Sequence, residues 1–247
     1  MTWIDLPGTA NLRDVGGLVT SDGRTVRSGR LLRSANLEQL DDQGLARLRD
    51  ELGVSDVIDL RSDSERAKAG PPRALAAGIR VHPLDLHQPM PRHLVGTLLP
   101  WQHEPGEGDL ADLYLTYLDR PDSLLAALRV IAGAPGATLV HCAAGKDRTG
   151  TVVGIALLTV GVPRDTVVAD YALSNERLDE VTELLLRDPV YAVNPVTGRP
   201  VRAAATPGSM LEAFFDRIDA RRGSLAQWLG SQGWSSADTE ALKQSLT

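Results

Sequence analysis

One stretch of this chain narrows its architecture and its chemistry together: Leu139-Val140-His141-Cys142-Ala143-Ala144-Gly145-Lys146-Asp147-Arg148-Thr149-Gly150. It reads as a short buried strand, a tight loop of small residues, then the start of a helix. The loop opens with the only cysteine of the protein and closes with an arginine six positions later. A loop of that length can curl so that its backbone N–H groups point inward. Ala143, Ala144 and Gly145 keep side chains clear of a close approach. Inward amides at a helix N-terminus make a nest for a phosphate-sized anion, and Arg148 can add a two-pronged contact to two of its oxygens. A positive nest of this kind favours thiolate over thiol, so nucleophile and oxyanion cradle form one structure. The competing reading of Cys142 is a buried, inert thiol.

The rest of the chain reads as alternating strands and helices. Strand-like runs fall at Arg30–Arg33, Val54–Leu60, Ile79–Leu84 and Thr138–His141. Asp22-Gly23 marks a turn between Leu18-Val19-Thr20 and Thr25-Val26-Arg27. Asp41 and Asp42 cap a helix that runs to Asp50 and stops at Gly53, and Ser64 starts a short helix closed by Gly70-Pro71-Pro72. Helices are expected over Leu110–Leu118, Ser123–Ile131 and Arg148–Val160, the last apolar nearly all round and so central and buried. Another covers Arg164–Leu173; Ser174 is read as the cap of the next, and Ser209 with Glu212 as a capping box. Two closing helices fall around Leu225–Leu229 and Ala237–Leu246. This order implies an α/β fold with a largely parallel central sheet flanked by helices, and a helical C-terminal region, 209–247. Residues 1–247 are read as a single domain.

Two segments interrupt the pattern. Residues 87–108 hold Pro89, Pro91, Pro100, Pro105 and three glycines, and 190–208 form a second Pro/Gly-bearing loop. Both are candidate lid or cleft loops. Arg199 and Arg202 in the second can meet an acidic substrate or simply be solvated. His82, His87, His93 and His103 cluster near the first at spacings too irregular for a metal site; no metal and no cofactor are expected.

A net charge of −6 argues against a general binder of nucleic acid or anionic membrane. The only lysines are Lys68, Lys146 and Lys243, so the one in the loop stands out in an arginine-rich sequence. A single cysteine leaves no internal disulfide, and a reducing compartment suits a reactive thiolate. Met1-Thr2-Trp3-Ile4-Asp5 shows no basic run before an apolar one, so no standard signal peptide is expected. Val152–Val162 is too short to span a bilayer. The expectation is a cytoplasmic protein with no integral membrane segment, with export by another route left open and the oligomeric state undetermined.

The loop resembles the signature of Cys-dependent tyrosine phosphatases, His-Cys-x5-Arg followed by Thr/Ser-Gly, and is similar to that of the bacterial tyrosine/lipid phosphatases with His-Cys-x-x-Gly-Lys-Asp-Arg. Further pieces of that family's pattern follow in order: Asn11-Leu12-Arg13-Asp14-Val15-Gly16-Gly17, Gly29–Leu37, Asp59-Leu60-Arg61-Ser62-Asp63-Ser64-Glu65-Arg66 and Ser174-Asn175-Glu176-Arg177-Leu178. The resemblance covers about residues 9–222. It implies a phosphatase-like fold and hydrolysis of phosphotyrosine, with phosphoserine/threonine or phosphoinositides as further substrates of some members. The partner is then a phosphorylated protein or a phosphoinositide, and no nucleic acid.

In that chemistry Cys142 attacks phosphorus and water then hydrolyses the phosphocysteine. Arg148 and the amides of Ala143, Ala144, Gly145 and Lys146 hold the equatorial oxygens. His141 steadies the loop, and Thr149, by its counterpart's role in the superfamily, eases departure of the sulfur. The leaving group needs a general acid. The family pattern points first to Asp147, although Lys146 and Arg148 favour its ionised form. Asp63 and Asp85 are the alternatives, because both follow strand C-termini, where sites of open α/β sheets lie. Arg13 and Arg33 read as paired structural charges or as phosphate contacts. Lys146 either binds a second anionic group, as in phosphoinositide phosphatases, or pairs with a nearby carboxylate. Other readings are a phosphoinositide phosphatase, a phosphate-binding module without turnover, and a sulfurtransferase. The intact Cys142, Arg148 and Thr149 disfavour the last two.

Overall fold

The computed structural model describes residues 1–87, 107–193, 200–205 and 207–247, the side chains of 107–110 excepted. Among these residues six strands form one sheet: β1 (Thr2–Trp3), β2 (Arg13–Asp14), β3 (Leu31–Ser34), β4 (Val54–Asp59), β5 (Arg80–Pro83) and β6 (Ala137–His141). Their order is β1-β2-β3-β6-β4-β5. The two N-terminal pairings are antiparallel, and β3, β6, β4 and β5 run parallel. The fold is thus α/β with a mostly parallel sheet, as the alternation of elements implied.

Successive strand residues enter opposite layers, as a pleated strand demands. Leu31, Ile58 and Val140 join the larger core, whereas Leu32, Val57 and Leu139 join the smaller one on the other face. α1 (Asp42–Ala46), continued by a π turn, Arg47–Glu51, gives Leu45 and Leu48 to the smaller core, α2 (Asp63–Ala69) buries no residue, and α3 (Arg73–Ala76) gives it Ala74. The large layer holds α4 (Glu107–Leu115), α5 (Pro121–Gly133), α6 (Asp147–Thr159) and α7 (Arg164–Ala172); α8 (Leu178–Arg187) instead packs Val181, Leu184 and Leu185 with Ala10 and Ala35 in a third cluster, and α9 (Gly208–Arg222), α10 (Leu225–Ser231) and α11 (Ser236–Leu246) return to the large core. Trp228, Leu229, Trp234, Leu242 and Leu246 of the C-terminal region pack into the same core as Val152 and Ile155. α6 is buried from Thr149 through Leu157. Each fully buried Val, Ile or Leu there contributes roughly 1.5–3 kcal/mol.

Some boundaries differ from those read off the sequence, for local reasons. α2 is capped two residues early, by Ser62, whose side chain and that of Glu65 satisfy each other's backbone N–H groups. α9 starts at Gly208 after Pro207 with no side-chain cap, so Ser209 and Glu212 form no capping box. Ser174 caps nothing; it is buried in a 3-10 turn, Leu173–Arg177, and receives Asn11 and Arg13. The expected hairpin near Asp22 is one bridge, Val19 to Thr25.

The parallel strands finish level with one another. Ser34, His141, Asp59 and Pro83 are aligned across β3, β6, β4 and β5. The segments that follow them therefore leave one edge of the sheet together, with the loop after β6 between its neighbours. No helix among the described residues is long and apolar enough to cross a membrane.

Candidate active site

The loop between β6 and α6 is shaped by groups that hold its carbonyls outward. The Ala143 carbonyl accepts the Asn36 amide (3.0 Å) and Asn36 Nδ2 (3.2 Å). Ala144 and Gly145 carbonyls accept Asn11 Nδ2 at 3.3 and 3.0 Å. Arg33 donates to the carbonyls of Gly145 (3.0 Å) and Lys146 (3.4 Å). With the carbonyls spoken for outside, the amides of Ala143, Ala144, Gly145 and Lys146 donate to no protein carbonyl among the described residues, and peptide planarity turns N–H groups away from their C=O partners. Gly145 has φ 68°, and a Cβ on it would stand 2.3 Å from the Ser34 carbonyl. The loop is pressed that closely onto the end of β3, where only glycine fits.

The holding groups form a buried network of their own. Asp170 on α7 binds Arg13 Nε at 3.0 Å and Arg33 at 2.8 Å. Arg13 also reaches the Asp170 carbonyl and Ser174 Oγ, and Asn11, in the left-handed region at φ 56°, takes a bond from Arg13. Arg13 and Arg33 are fully buried, so they are structural charges and not open phosphate contacts. Burial pushes the Asp170 carboxyl up, but the two guanidiniums outweigh it and hold the group below the ordinary range.

Cys142 is buried at the loop's start. Behind it, His141 Nδ1 contacts the Cys142 carbonyl at 3.2 Å, and its Nε2 lies 3.9 Å from Asp59. Burial lowers the His141 pKa, which keeps the ring neutral. At the other end Arg148 donates to Glu65 at 2.7 and 3.0 Å and to the Leu60 carbonyl at 3.3 Å. Burial alone would pull this guanidinium down, yet the negative charges of Cys142 and Glu65 raise it well above its ordinary value. For Glu65, burial pushes up and Arg148 pulls down more strongly, to about 2. The Thr149 hydroxyl is buried and has no hydrogen-bond partner among the described residues.

Asp147 faces a different set of partners. Lys146 Nζ is 3.2 Å from its carboxylate, and the Tyr114 hydroxyl donates to it. Tyr114 in turn meets the Tyr171 hydroxyl at 2.7 Å. Burial raises the Asp147 pKa, but the Lys146 charge, the Tyr114 bond and Arg148 together outweigh it and lower the net value. Lys146 is only 5% exposed; its observed partner is this carboxylate, the simpler of the two roles open to it from sequence.

The alternative acids have partners elsewhere. Asp63 pairs with Arg66 and its side chain is 92% exposed. Asp85 accepts the amides of His87 (2.6 Å) and Asp63 (3.3 Å), so it serves the turn after β5 and the start of α2. Of the two candidate cleft loops, 87–108 falls almost wholly outside the described residues, as do His93, His103 and Arg199. Within 190–208, Tyr191, Val201 and Ala203 pack against the same small cluster as Ala143 and Ala144, that of Ala10, Ala35, Val181, Leu184 and Leu185. His82 bonds Asp56 at 2.8 Å, and no group of three or more metal-binding side chains is found among the described residues.

Sequence reasoning had no role for Glu65, Asn11, Tyr114, Asp170 or Tyr171. Asn11 and Glu65 lie in pieces of the family pattern, which flags them without saying what they touch. Asp170, Tyr171 and Tyr114 stand in ordinary helical context, and nothing local marks them.

Residues 4–247 match the family model described as the tyrosine phosphatase family. The chain is 35% identical to the triple specificity protein phosphatase PtpB of Mycobacterium tuberculosis, over 97% of each chain. It is 32% identical to a putative tyrosine-protein phosphatase of Cupriavidus necator, over 89% of this chain and 80% of that one. A tyrosine-protein phosphatase of Nostoc commune is 32% identical over 60% of this chain and 49% of its own. A lone thiol at the mouth of an outward-strapped loop, with an anchored arginine at its end, stands here in a chain that matches along nearly its whole length, and the chain belongs to the tyrosine phosphatase family.

Proposed function

We propose that this chain acts as one phosphatase domain that hydrolyses phosphotyrosine in proteins, with relaxed tolerance for phosphoserine and phosphothreonine. The observation that carries the reading is the loop itself: its carbonyls at Ala143, Ala144, Gly145 and Lys146 are held outward by Asn36, Asn11 and Arg33. That leaves a concave run of amides between Cys142 and Arg148, complementary to the three equatorial oxygens of a phosphoryl group.

The Cys142 thiolate attacks phosphorus, an S–P bond forms and the P–O bond to the leaving group breaks. Asp147 protonates the departing oxygen. Water then attacks the phosphocysteine, Asp147 takes its proton, and the S–P electron pair returns to sulfur. Thr149, whose hydroxyl has no partner among the described residues, donates to the sulfur as it leaves. Arg148 follows the equatorial oxygens while Glu65 fixes its other face. No step calls for a metal.

The phosphoinositide reading rests on Lys146. Its ammonium is engaged by Asp147 at 3.2 Å, so binding a second phosphate requires that pair to open. The triple specificity in the name of the mycobacterial relative makes the wider substrate range worth testing directly. A phosphotyrosine peptide and a soluble phosphoinositide are assayed side by side in EDTA, with wild type and Cys142→Ser. Peptide turnover in the wild type, lost by about 10⁴-fold or more in the variant, is the expected result. Stronger lipid turnover transfers the assignment to the second reading. Activity that survives Cys142→Ser removes the mechanism.

A further inference from the structure

Two buried phenols outside the Cys loop converge on the acid. Tyr114 on α4 donates to Asp147 Oδ1. Its hydroxyl also lies 2.7 Å from that of Tyr171 on α7. Both tyrosines are almost completely buried. A phenol has one proton to give and an ionised carboxylate only accepts. The proton of Tyr114 is therefore committed to Asp147, and Tyr171 must be the donor to Tyr114. The chain of hydrogen bonds has one direction: Tyr171 to Tyr114 to Asp147.

The rings are fixed. Tyr114 and Tyr171 meet edge to face, centroids 6.5 Å apart at 85°. Tyr171 lies over Gly150 so closely that a Cβ there would meet its ring carbons at 2.5 and 2.8 Å. Tyr114 also packs edge-on to Phe214. Tyr171 directly follows Asp170, so one turn of α7 bears on both the carbonyls of the loop and its acid. Asp170 acts through the arginines on the carbonyls, and Tyr171 acts through Tyr114 on the acid.

We infer that Tyr114 and Tyr171 are positioning residues for Asp147, holding its Oδ1 so that the Oδ2 edge exchanges the proton of the leaving group. This rests on the assignment of Asp147 as general acid. Oδ2 has Lys146 Nζ, at 3.2 Å, as its hydrogen-bond partner among the described residues, and the carboxylate side chain is 36% exposed. The step starts from the enzyme form that carries a proton on Oδ2 while Oδ1 still accepts from Tyr114; as the P–O bond breaks, that proton passes to the departing oxygen and the negative charge left on Asp147 is held by Tyr114 and Lys146. Donation from Tyr171 strengthens the Tyr114 donor. Burial keeps both phenols protonated by raising them above their ordinary value. The charged and titratable groups that act on Asp147 are Lys146 and Arg148 from its own segment, Tyr114 from α4, Tyr117 from the turn after it, and Tyr171 from α7.

The test compares kcat/KM across aryl phosphates of increasing leaving-group pKa, with full pH profiles, for wild type, Tyr114→Phe, Tyr171→Phe, Asp147→Asn and Tyr114→Phe/Asp147→Asn. Tyr114→Phe is expected to lose about 10-fold on the poorest leaving groups and little on the best, within the span of general acid catalysis. Its basic limb moves to higher pH, because the carboxyl has lost a donor that favoured its ionised form. Tyr171→Phe moves in the same direction by less, since Tyr114 still donates. Adding Tyr114→Phe to Asp147→Asn costs nothing further. A uniform loss in both tyrosine variants with an unmoved pH profile, while Asp147→Asn remains steep in leaving group, overturns the positioning role and leaves the acid assignment standing. An Asp147→Asn enzyme that loses equally on every leaving group overturns the acid assignment, and the inference with it.

Discussion

Glu65 accepts two hydrogen bonds from Arg148 and one, at 2.7 Å, from the Ser62 amide. One carboxylate thus closes the capping box of α2 and anchors the arginine of the loop. Glu65→Gln keeps the shape and removes the charge. It is expected to lower kcat/KM by about 10-fold, since a hydrogen bond to a charged group is worth about 1.5–3 kcal/mol, with Arg148 no longer held in its fork. The stability effect has a definite sign. Burial raises the Glu65 carboxyl, Arg148 more than reverses it, and the folded value falls from 4.5 to about 2. This contribution is fully present above the ordinary carboxylate value and is lost as pH falls toward the folded one. Urea unfolding at neutral pH and at two acidic points between those values should show wild type losing more stability than Glu65→Gln across that window.

At the level of the element, the loop after β6 depends on how closely it can approach β3. Gly145 has a positive φ, and its missing side chain is where the Ser34 backbone lies, 2.3 Å from an ideal Cβ. Gly145→Ala meets both penalties, strained backbone and a clash with main chain that cannot rotate away. The expected cost is about 2–3 kcal/mol if the loop holds its shape; if it gives way, the amides leave the nest. Phosphate protection in a thermal melt separates these: the variant should melt lower and gain little from added phosphate, whereas wild type gains. A variant with wild-type melting and wild-type protection would show that the approach to β3 is not what shapes the loop.

Across the whole molecule, Asp170 links parts of the chain that are far apart in sequence. It neutralises Arg13 from β2 and Arg33 from β3, and Arg33 passes the restraint on to the loop carbonyls. Removing one member of a buried charge cluster is costly because the others stay buried and uncompensated. Asp170→Asn is expected to destabilise by about 3–5 kcal/mol and to lower activity even where the fold persists. Burial raises this carboxyl and the arginines more than offset that, so its folded value is lowered. Its contribution to stability is fully present above the ordinary carboxylate value and is lost as pH falls from there through the lowered folded value. Acid unfolding followed by circular dichroism should start at higher pH in wild type than its neutral stability alone would suggest, and this acid sensitivity should shrink in Asp170→Asn.

Four features were legible in the order of residues alone: the strand–loop–helix around Cys142, the spacing of that cysteine and Arg148 across one loop, the alternation that makes the sheet mostly parallel, and the burial of α6. All of these are local, since a run of apolar residues, a loop of small ones and a spacing of six carry the information within a dozen positions. How the loop is held, and which carboxyl meets it, came only from the folded chain. Asn11, Arg33 and Asp170 converge on the loop from three parts of the fold, and a buried charge is legible only once its partner is in place. The same holds for the acids. Asp63 and Asp85 follow strand ends as surely as Asp147 follows the loop, but their partners prove to be Arg66 and backbone amides. Asp147 is the one of the three that lies against Tyr114, because the packing of α4 and α7 over α6 brings two phenols to it from positions that no local pattern marks.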